Sequence, residues 1–371
     1  MTDRFSHVRL VMLAKNEAHC IRRSLASARP LIDSWCVVDT GSSDGTPAIV
    51  EDAMRGIPGE LHHRPWVNFG HNRTESLALA RADGVADFLL VLDADDEFVT
   101  APDFAWPNPM DKDCYHIQVN GGSVTYPLNV CTRASLPWRY EGAYHAHPVL
   151  DGAKPTSAIL SGIEWRVHRE GASWSDPEKY QRQAKHFVDV LAANPTDTRA
   201  AFYLAQAYRD CGDKRRAVEA YRHRASMGGW KSEVFWSLYQ VATLRESLND
   251  PWAEVAQDYL AAYLSDTTRC EPLYRLGKHY NATKEHAAAL LYLRAVGQMP
   301  PSASGGLFVD PSVHQWLAPI EAAVALYHTG DVDTAAAINV HLLSDESLPD
   351  KLRVVAARNL EFCTAKLNEV P

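Results

Sequence analysis

The stretch Asp87-Phe-Leu-Leu-Val-Leu-Asp-Ala-Asp-Asp-Glu-Phe98 constrains the fold of this chain more than any other. Phe88 to Leu92 is an uninterrupted apolar run, too short for a helix and the right length for a strand buried on both faces. Such strands belong to parallel sheets that helices cover on either side. The run stops at four acidic residues in five, and in open α/β sheets ligands collect at the carboxyl ends of the strands. In extended chain Asp93 and Asp95 lie two apart and point the same way. Carboxylates held side by side repel unless a cation lies between them, and their hard oxygens suit Mg²⁺ or Mn²⁺. Taken alone, the same run also fits an acidic turn that caps a strand.

The residues before it supply the rest of such a sheet. Leu10 to Ala14 is an apolar strand, and Lys15-Asn16-Glu17 turns into a helix that Pro30 stops near Arg29. Trp35 to Val38 is a second strand, followed at Asp39 by the turn formers Thr40-Gly-Ser-Ser-Asp-Gly45. Thr46 is placed to cap the next helix, with Pro47 at its first position and Gly56 at its close. Leu61 to His63 is a third, short strand, and a helix over Asn72 to Ala82 ends at Gly84. Strand and helix alternating at this spacing predict right-handed crossovers and a doubly wound parallel sheet.

Composition narrows the class. With 371 residues the chain exceeds what one core usually organises, and 46% hydrophobic with 22% charged residues describes an ordinary globular protein. A net charge of −9 argues against nucleic acid or an anionic membrane as partner. Seven scattered cysteines without a C-x-x-C pair suit a reducing compartment, and no apolar run reaches membrane length. The expected location is cytoplasmic.

Three stretches, Val11-Met-Leu-Ala-Lys-Asn-Glu17, Val37-Val-Asp-Thr-Gly-Ser-Ser-Asp-Gly-Thr46 and Asp93-Ala-Asp95, resemble the nucleotide-sugar domain of the inverting family 2 glycosyltransferases, whose fold is called GT-A. The resemblance covers about Leu10 to Phe98. It implies a nucleoside surrounded by the first two stretches (Asn16, Glu17, Asp39, Ser42, Asp44), with Asp39 at the base or ribose. It further implies Asp95 on a divalent metal and Asp93 on ribose or metal, with a UDP- or GDP-sugar as donor. Without the resemblance, Asp39 to Thr46 reads as a capped strand-to-helix turn. Phe69-Gly-His-Asn-Arg73 precedes the helix expected from Asn72, whose free N–H groups and partial positive charge would favour a diphosphate. Asn72 and Arg73 are therefore candidate donor ligands.

From Cys114 to Val167 short alternating runs (Tyr115 to Val119, Ser123 to Cys131, Trp138 to Tyr140, Ala158 to Val167) predict antiparallel strands at the sheet edge. Ile163, Trp165 and Val167 share one face, which leaves His168 on the other at the strand end. The resemblance implies a late histidine completing the metal shell, and His168 fits by order. Trp138-Arg-Tyr-Glu-Gly142 and His145 also resemble the family, whose comparable stretch commonly reads His-Glu. Here it reads His145-Ala146-His147, so the usual carboxylate is absent. Direct displacement still requires a group that takes the acceptor proton, and Glu141 and His145 are the nearest candidates.

Beyond Asp176-Pro177 the pattern is helical. Leu204, Ala205, Tyr208, Asp210-Cys-Gly-Asp213, Ala217 and Tyr221 have the spacing of a tetratricopeptide helical hairpin. Leu273 to Leu293 repeats it, and Ala323 to Val340 gives a third copy, with a degenerate stretch around Phe235 to Leu264. Each unit exposes an apolar face that only its neighbours cover, so the units stack as a solenoid. Gly297 to Asp310 is the clearest loop. The expected organisation is a GT-A domain over 1–172 and a repeat domain over 173–371. The expected function is a metal-dependent inverting glycosyltransferase, with the repeats choosing a polypeptide, glycan or other macromolecular acceptor or else forming a homodimer. Two alternatives are a repeat scaffold with an inactive GT-A domain and a nucleotidyltransferase, which would release pyrophosphate from a nucleoside triphosphate.

Overall fold

A computed structural model describes residues 6–121, 124–152, 154–300 and 306–368. The chain divides into two compact units, Met1–Gln183 and Ala184–Pro371.

In the first unit β1 (Val8–Ala14), α1 (Ile21–Ala28), β2 (Ser34–Asp39), α2 (Thr46–Ala53), β3 (Gly59–His63), α3 (Phe69–Ala80) and β4 (Phe88–Val91) alternate as the sequence predicts. They are followed by β5 (Glu97–Thr100), β6 (Cys114–Asn120), β7 (Thr125–Arg133), β8 (Arg139–Glu141), β9 (His147–Val149) and β10 (Ser157–Arg166). Eight strands form one sheet in the order β3-β2-β1-β4-β7-β6-β10-β5, and β8 pairs with β9 alone. The first four are parallel, while β7 runs antiparallel to both β4 and β6. The late strands are not all antiparallel: β10 pairs parallel with β6 and antiparallel with β5. Ser123, the expected start of β7, lies outside the described residues.

Alternation along β1 explains the layers. Val8, Leu10, Met12 and Ala14 pack with Ile21 and Leu25 of α1, Val50 of α2 and Met54 just after it on one face. Val11 packs with Leu77 and Ala80 of α3 on the other. Burying each such side chain contributes roughly 1.5–3 kcal/mol. Both faces of β1, β2 and β4 are therefore dry, which leaves only their carboxyl ends for chemistry.

Three boundaries depart from the sequence reading. The first helix starts at Ile21, because residues 15–18 form a turn stitched to the loop after β2, with Asn16 at φ 58°. The helix α3 starts at Phe69 and is capped by Asn68, whose side chain accepts from His71 N, so Asn72 lies inside its first turn. Thr46 is the first residue of α2, and the carboxylate of Asp44 accepts from its N–H.

The second unit is helical. The chain enters it through α4 (Lys179–Ala193), then α5 (Thr198–Asp210), α6 (Lys214–Ser226), α7 (Lys231–Ser247), α8 (Trp252–Ser265), α9 (Glu271–Ala282), α10 (His286–Gln298), α11 (Ala318–Thr329), α12 (Val332–Ser344) and α13 (Asp350–Asn368). Consecutive helices pack pairwise, as in tetratricopeptide-like repeats. Gly212 and Gly330 take φ 86° and 98° to close one helix, and Asp213 and Asp331 then cap the next. In the stretch that looks degenerate by sequence, Asn249 takes the left-handed position at φ 56°, so the hairpin α7–α8 forms without the Gly-Asp signature. Of the loop expected over 297–310, Gly297 belongs to α10, and residues 301–305, including Pro301 and Gly305, lie outside the described residues. Among the described residues all seven cysteines are free thiols, and no helix is long and apolar enough to cross a membrane.

Candidate active site

The neighbouring parallel strands β1, β2 and β4 deliver three loops to one edge. Ala14 is in register with Asp39, and Val11 with Val91. Residues 15–18, 40–46 and 92–96 therefore follow adjacent strand ends.

The first two loops are braced against each other. Asn16 N donates to Ser42 Oγ at 2.9 Å, and Ser43 N donates to Asn16 Oδ1 at 2.8 Å. Ala18 N donates to Asp44 Oδ2, and Glu17 N to Thr46 Oγ1. Asn16, Ser42 and Asp44, expected around the nucleoside, thus have side chains engaged in holding the loops together. Asp39 differs. Its Oδ2 accepts from Gly41 N and Ser42 N, both at 3.1 Å, and faces His63 Nδ1 at 3.4 Å, while its buried Oδ1 has no hydrogen-bond partner. Burial works to raise this carboxyl, but the bonds from Ser42, Gly41 and His63 outweigh it and hold it below its ordinary range. Asp39 is ionised with one acceptor oxygen in reserve.

The acidic run does not continue as extended chain. Asp96 N donates to Asp93 O, closing a turn over Asp93–Asp96. The strand alternation that would aim Asp93 and Asp95 together is therefore lost, and the two find different neighbours. Asp93 pairs with the guanidinium of Arg73, and Asp95 Oδ2 accepts from Gly171 N at 3.0 Å. Arg23 secures this turn by donating to Asp95 O at 2.6 Å and pairing with Glu170 at 2.8 Å. The sequence reading passed over Asp96, although it belongs to the same acidic run. Its Oδ2 accepts from Trp165 Nε1 at 2.7 Å and its Oδ1 from His168 N at 3.0 Å, so it ties the turn to the end of β10. Burial, and then the charge of Asp93, pushes Asp96 up to about 7.

The helix α3 brings Arg73 into this region. Thr74 Oγ1 accepts from Tyr140 N at 2.8 Å, and Gly70 lies so close to the β8–β9 hairpin that a Cβ there would be 2.7 Å from Gly142 O. Asn72, expected as a donor ligand, is fully buried. Its Oδ1 accepts from Val67 N and its Nδ2 donates to Pro65 O, both at 2.9 Å, so it braces the loop before the helix. The Arg73 guanidinium lies 5.4 Å from the centroid of the Tyr140 ring. Burial works against its charge, and Asp93 and Tyr140 outweigh burial to raise its pKa. Glu141 is exposed and paired with Arg139, which Asp151 also holds. His145 sits in the exposed part of the hairpin at φ 49°.

The donor set of Asp93, Asp95 and His168 fits a hard divalent cation in kind. His168 Nε2 is buried and lies 3.0 Å from Glu97 Oε1, out of line for a hydrogen bond, so this nitrogen has no hydrogen-bond partner. The three are not gathered in advance, since Asp93 is turned to Arg73 and Asp95 to Gly171. Among the described residues, the cluster of three metal-capable groups within 4.8 Å is instead Glu17, His19 and Cys20. Those groups are already engaged: Cys20 Sγ lies 3.3 Å from Glu17 Oε2, Ala172 N donates to Glu17, and His19 Nε2 meets Glu170 O at 2.8 Å. Burial and the bond to Glu17 push the Cys20 thiol up to about 12, which keeps it protonated. Burial also raises Glu17.

Comparison with known proteins finds a family resemblance for part of the first unit. Residues 10–102 match the model of glycosyl transferase family 2. A curated TPR repeat-containing protein of Synechococcus elongatus is 38% identical over 95 residues, which are 25% of this chain and 22% of that protein. The chain thus spans less than a quarter of the length of the curated relative it matches. Among solved structures, S. aureus TarS residues 1–349 in complex with UDP-GlcNAc is 16% identical at a TM-score of 0.34, covering 69% of this chain and 89% of that one. The C-terminal part of a TPR repeat-containing protein from Cytophaga hutchinsonii is 17% identical at 0.39, covering 52% and 70%. Glucosyl-3-phosphoglycerate synthase from Mycobacterium tuberculosis is 23% identical at 0.21, covering 25% and 34%. The fold itself is an α/β domain with a mixed eight-stranded sheet followed by consecutively packed helices.

Proposed function

We propose that this chain is a metal-dependent inverting glycosyltransferase that moves a sugar from a UDP- or GDP-sugar to an acceptor in the cytoplasm. The observation that carries this reading is the placement of the three family stretches on adjacent strand ends, inside the segment that matches the family model. Asp39 offers its unpartnered Oδ1 to the base or ribose, and Arg73 meets the diphosphate. Asp93, Asp95 and His168 hold Mn²⁺ or Mg²⁺. When bound, the cation stabilises negative charge that develops on the leaving diphosphate. Asp95, fixed by Gly171 and Arg23, keeps its carboxylate at the turn, and Asp96 keeps His168 beside it. Glu141, which Arg139 engages, and His145 are the two candidates for taking the acceptor proton.

The repeat unit selects the acceptor, a polypeptide or other macromolecule. Stacked helical pairs form extended surfaces suited to chain-like partners, and contacts far from the chemistry help to position the reacting group. A panel of nucleotide sugars screened with Mn²⁺ for thermal stabilisation tests the donor reading. A ligand present at about 100 times its dissociation constant adds roughly 2.7 kcal/mol. One UDP- or GDP-sugar should raise the melting temperature in a metal-dependent way, and a flat response across the panel would refute the reading.

A further inference from the structure

Both cationic and anionic parts of the donor site are present, yet they face each other. Arg73 pairs with Asp93, the carboxylate that the proposed function assigns to the cation. The two partners differ in exposure: the Arg73 side chain is 15% exposed and that of Asp93 42%. Arg73 is also held firmly at its base. Asn72 and Thr74, on either side of it, bind the loop before α3 and the backbone of Tyr140. Only the outer part of the Arg73 side chain is left to move, along the face of the Tyr140 ring.

We propose that Arg73 is a resident stand-in for the metal, and that it makes cation binding depend on the nucleotide. With no donor bound, the guanidinium neutralises Asp93 in a turn that also carries Asp95 and Asp96. A divalent cation arriving alone must displace a partly buried, charge-assisted hydrogen bond. A nucleoside diphosphate offers Arg73 a second partner, because guanidinium pairs with phosphate oxygens as readily as with a carboxylate. Once Arg73 turns to the diphosphate, Asp93 is released to the cation. Metal and nucleotide therefore promote each other's binding, and linkage requires the coupling to be reciprocal. The arrangement keeps the site from holding a cation when there is no donor to act on. This inference rests on the assignment of Asp93 to the metal.

The test is the affinity for Mn²⁺ alone, read from free Mn²⁺ by electron paramagnetic resonance, for the full chain and for Arg73→Met. The variant should bind Mn²⁺ without nucleotide about tenfold more tightly than the wild type, as the loss of one competing charge-assisted bond implies. The enhancement of Mn²⁺ affinity by UDP or GDP should shrink by a similar factor. Arg73→Gln, which keeps polarity without charge, carries the same expectation should Arg73→Met fail to fold. Equal or weaker Mn²⁺ binding by a folded, charge-free variant overturns the inference and leaves the metal assignment standing. If neither the wild type nor a variant binds Mn²⁺ with or without UDP or GDP, the metal assignment itself fails and the inference falls with it.

Discussion

Gly70 offers a sharp test of how the hairpin is seated, because its substitution sets two effects of opposite sign against each other. A Cβ at this position would be 2.7 Å from Gly142 O and 3.3 Å from Gly142 N and C, all backbone atoms that cannot rotate away. Relieving such overlap costs about 1–3 kcal/mol. Alanine favours a helix over glycine by at most about 1 kcal/mol, and less in the first turn where Gly70 lies. The clash should win by about 1–2 kcal/mol. For a unit of this size that lowers the melting temperature by roughly 2–8 °C. Calorimetry of the full chain measures it, with Gly297→Ala as the control. Gly297 lies in α10 with nothing within 4 Å of its Cβ position, so that change should stabilise its own unit by up to about 1 kcal/mol. If Gly70→Ala melts at or above the wild-type temperature, the close seating of α3 on the hairpin is wrong.

Glu233→Ala should destabilise the repeat unit by about 3–5 kcal/mol, because Arg224 is fully buried and would lose its carboxylate partner; chemical denaturation of that unit measures it. Asp83 is held down to about 2 by its bidentate bond to Arg9. Its folded pKa lies below the unfolded value, so its stabilisation is present above about pH 4 and disappears as pH falls through about 2. The Asp83→Asn variant should therefore lose this part of the acid dependence in melting temperature between pH 5 and 2, and an unchanged profile would contradict the pairing. His168→Ala should weaken Mn²⁺ binding more than metal-free nucleotide binding, and equal losses in the two titrations would remove His168 from the metal shell.

What was legible in the sequence follows from what each residue's neighbours in the chain decide. The buried runs at Leu10, Trp35 and Phe88 announce a parallel sheet because both faces of those strands are apolar, and the Gly-Asp pairs at 212–213 and 330–331 announce helical hairpins because αL glycine and an Asp cap are local devices. The details that eluded it depend on contacts between distant segments. Asn72 looks like a helix cap, yet Asn68 takes that role and Asn72 braces residues 65 and 67. Asp93 and Asp95 look like neighbours on an extended strand, yet a turn sends one to Arg73 and the other to Gly171. Asn16, Ser42 and Asp44 carry the family stretches, and only the register of β1 on β2 reveals that they fasten two loops to each other. Asp96 was visible as one more acid, but its tie to Trp165 joins residues 69 apart in the chain.

The central claim is that the turn after β4 serves a metal-dependent transfer from a nucleotide sugar. Release of nucleoside diphosphate from a panel of UDP- and GDP-sugars by the purified full chain, with and without Mn²⁺, tests it most directly when Asp95→Asn is run beside the wild type. A neutral amide is a poorer ligand for a hard cation than a carboxylate, and a perturbed charge-stabilising group typically costs on the order of 100-fold or more in rate. The account predicts metal-dependent release by the wild type from one of these donors and at least that loss in a folded Asp95→Asn protein. Wild-type rates from the variant in metal-replete buffer would contradict it, as would no release by the wild type from any donor.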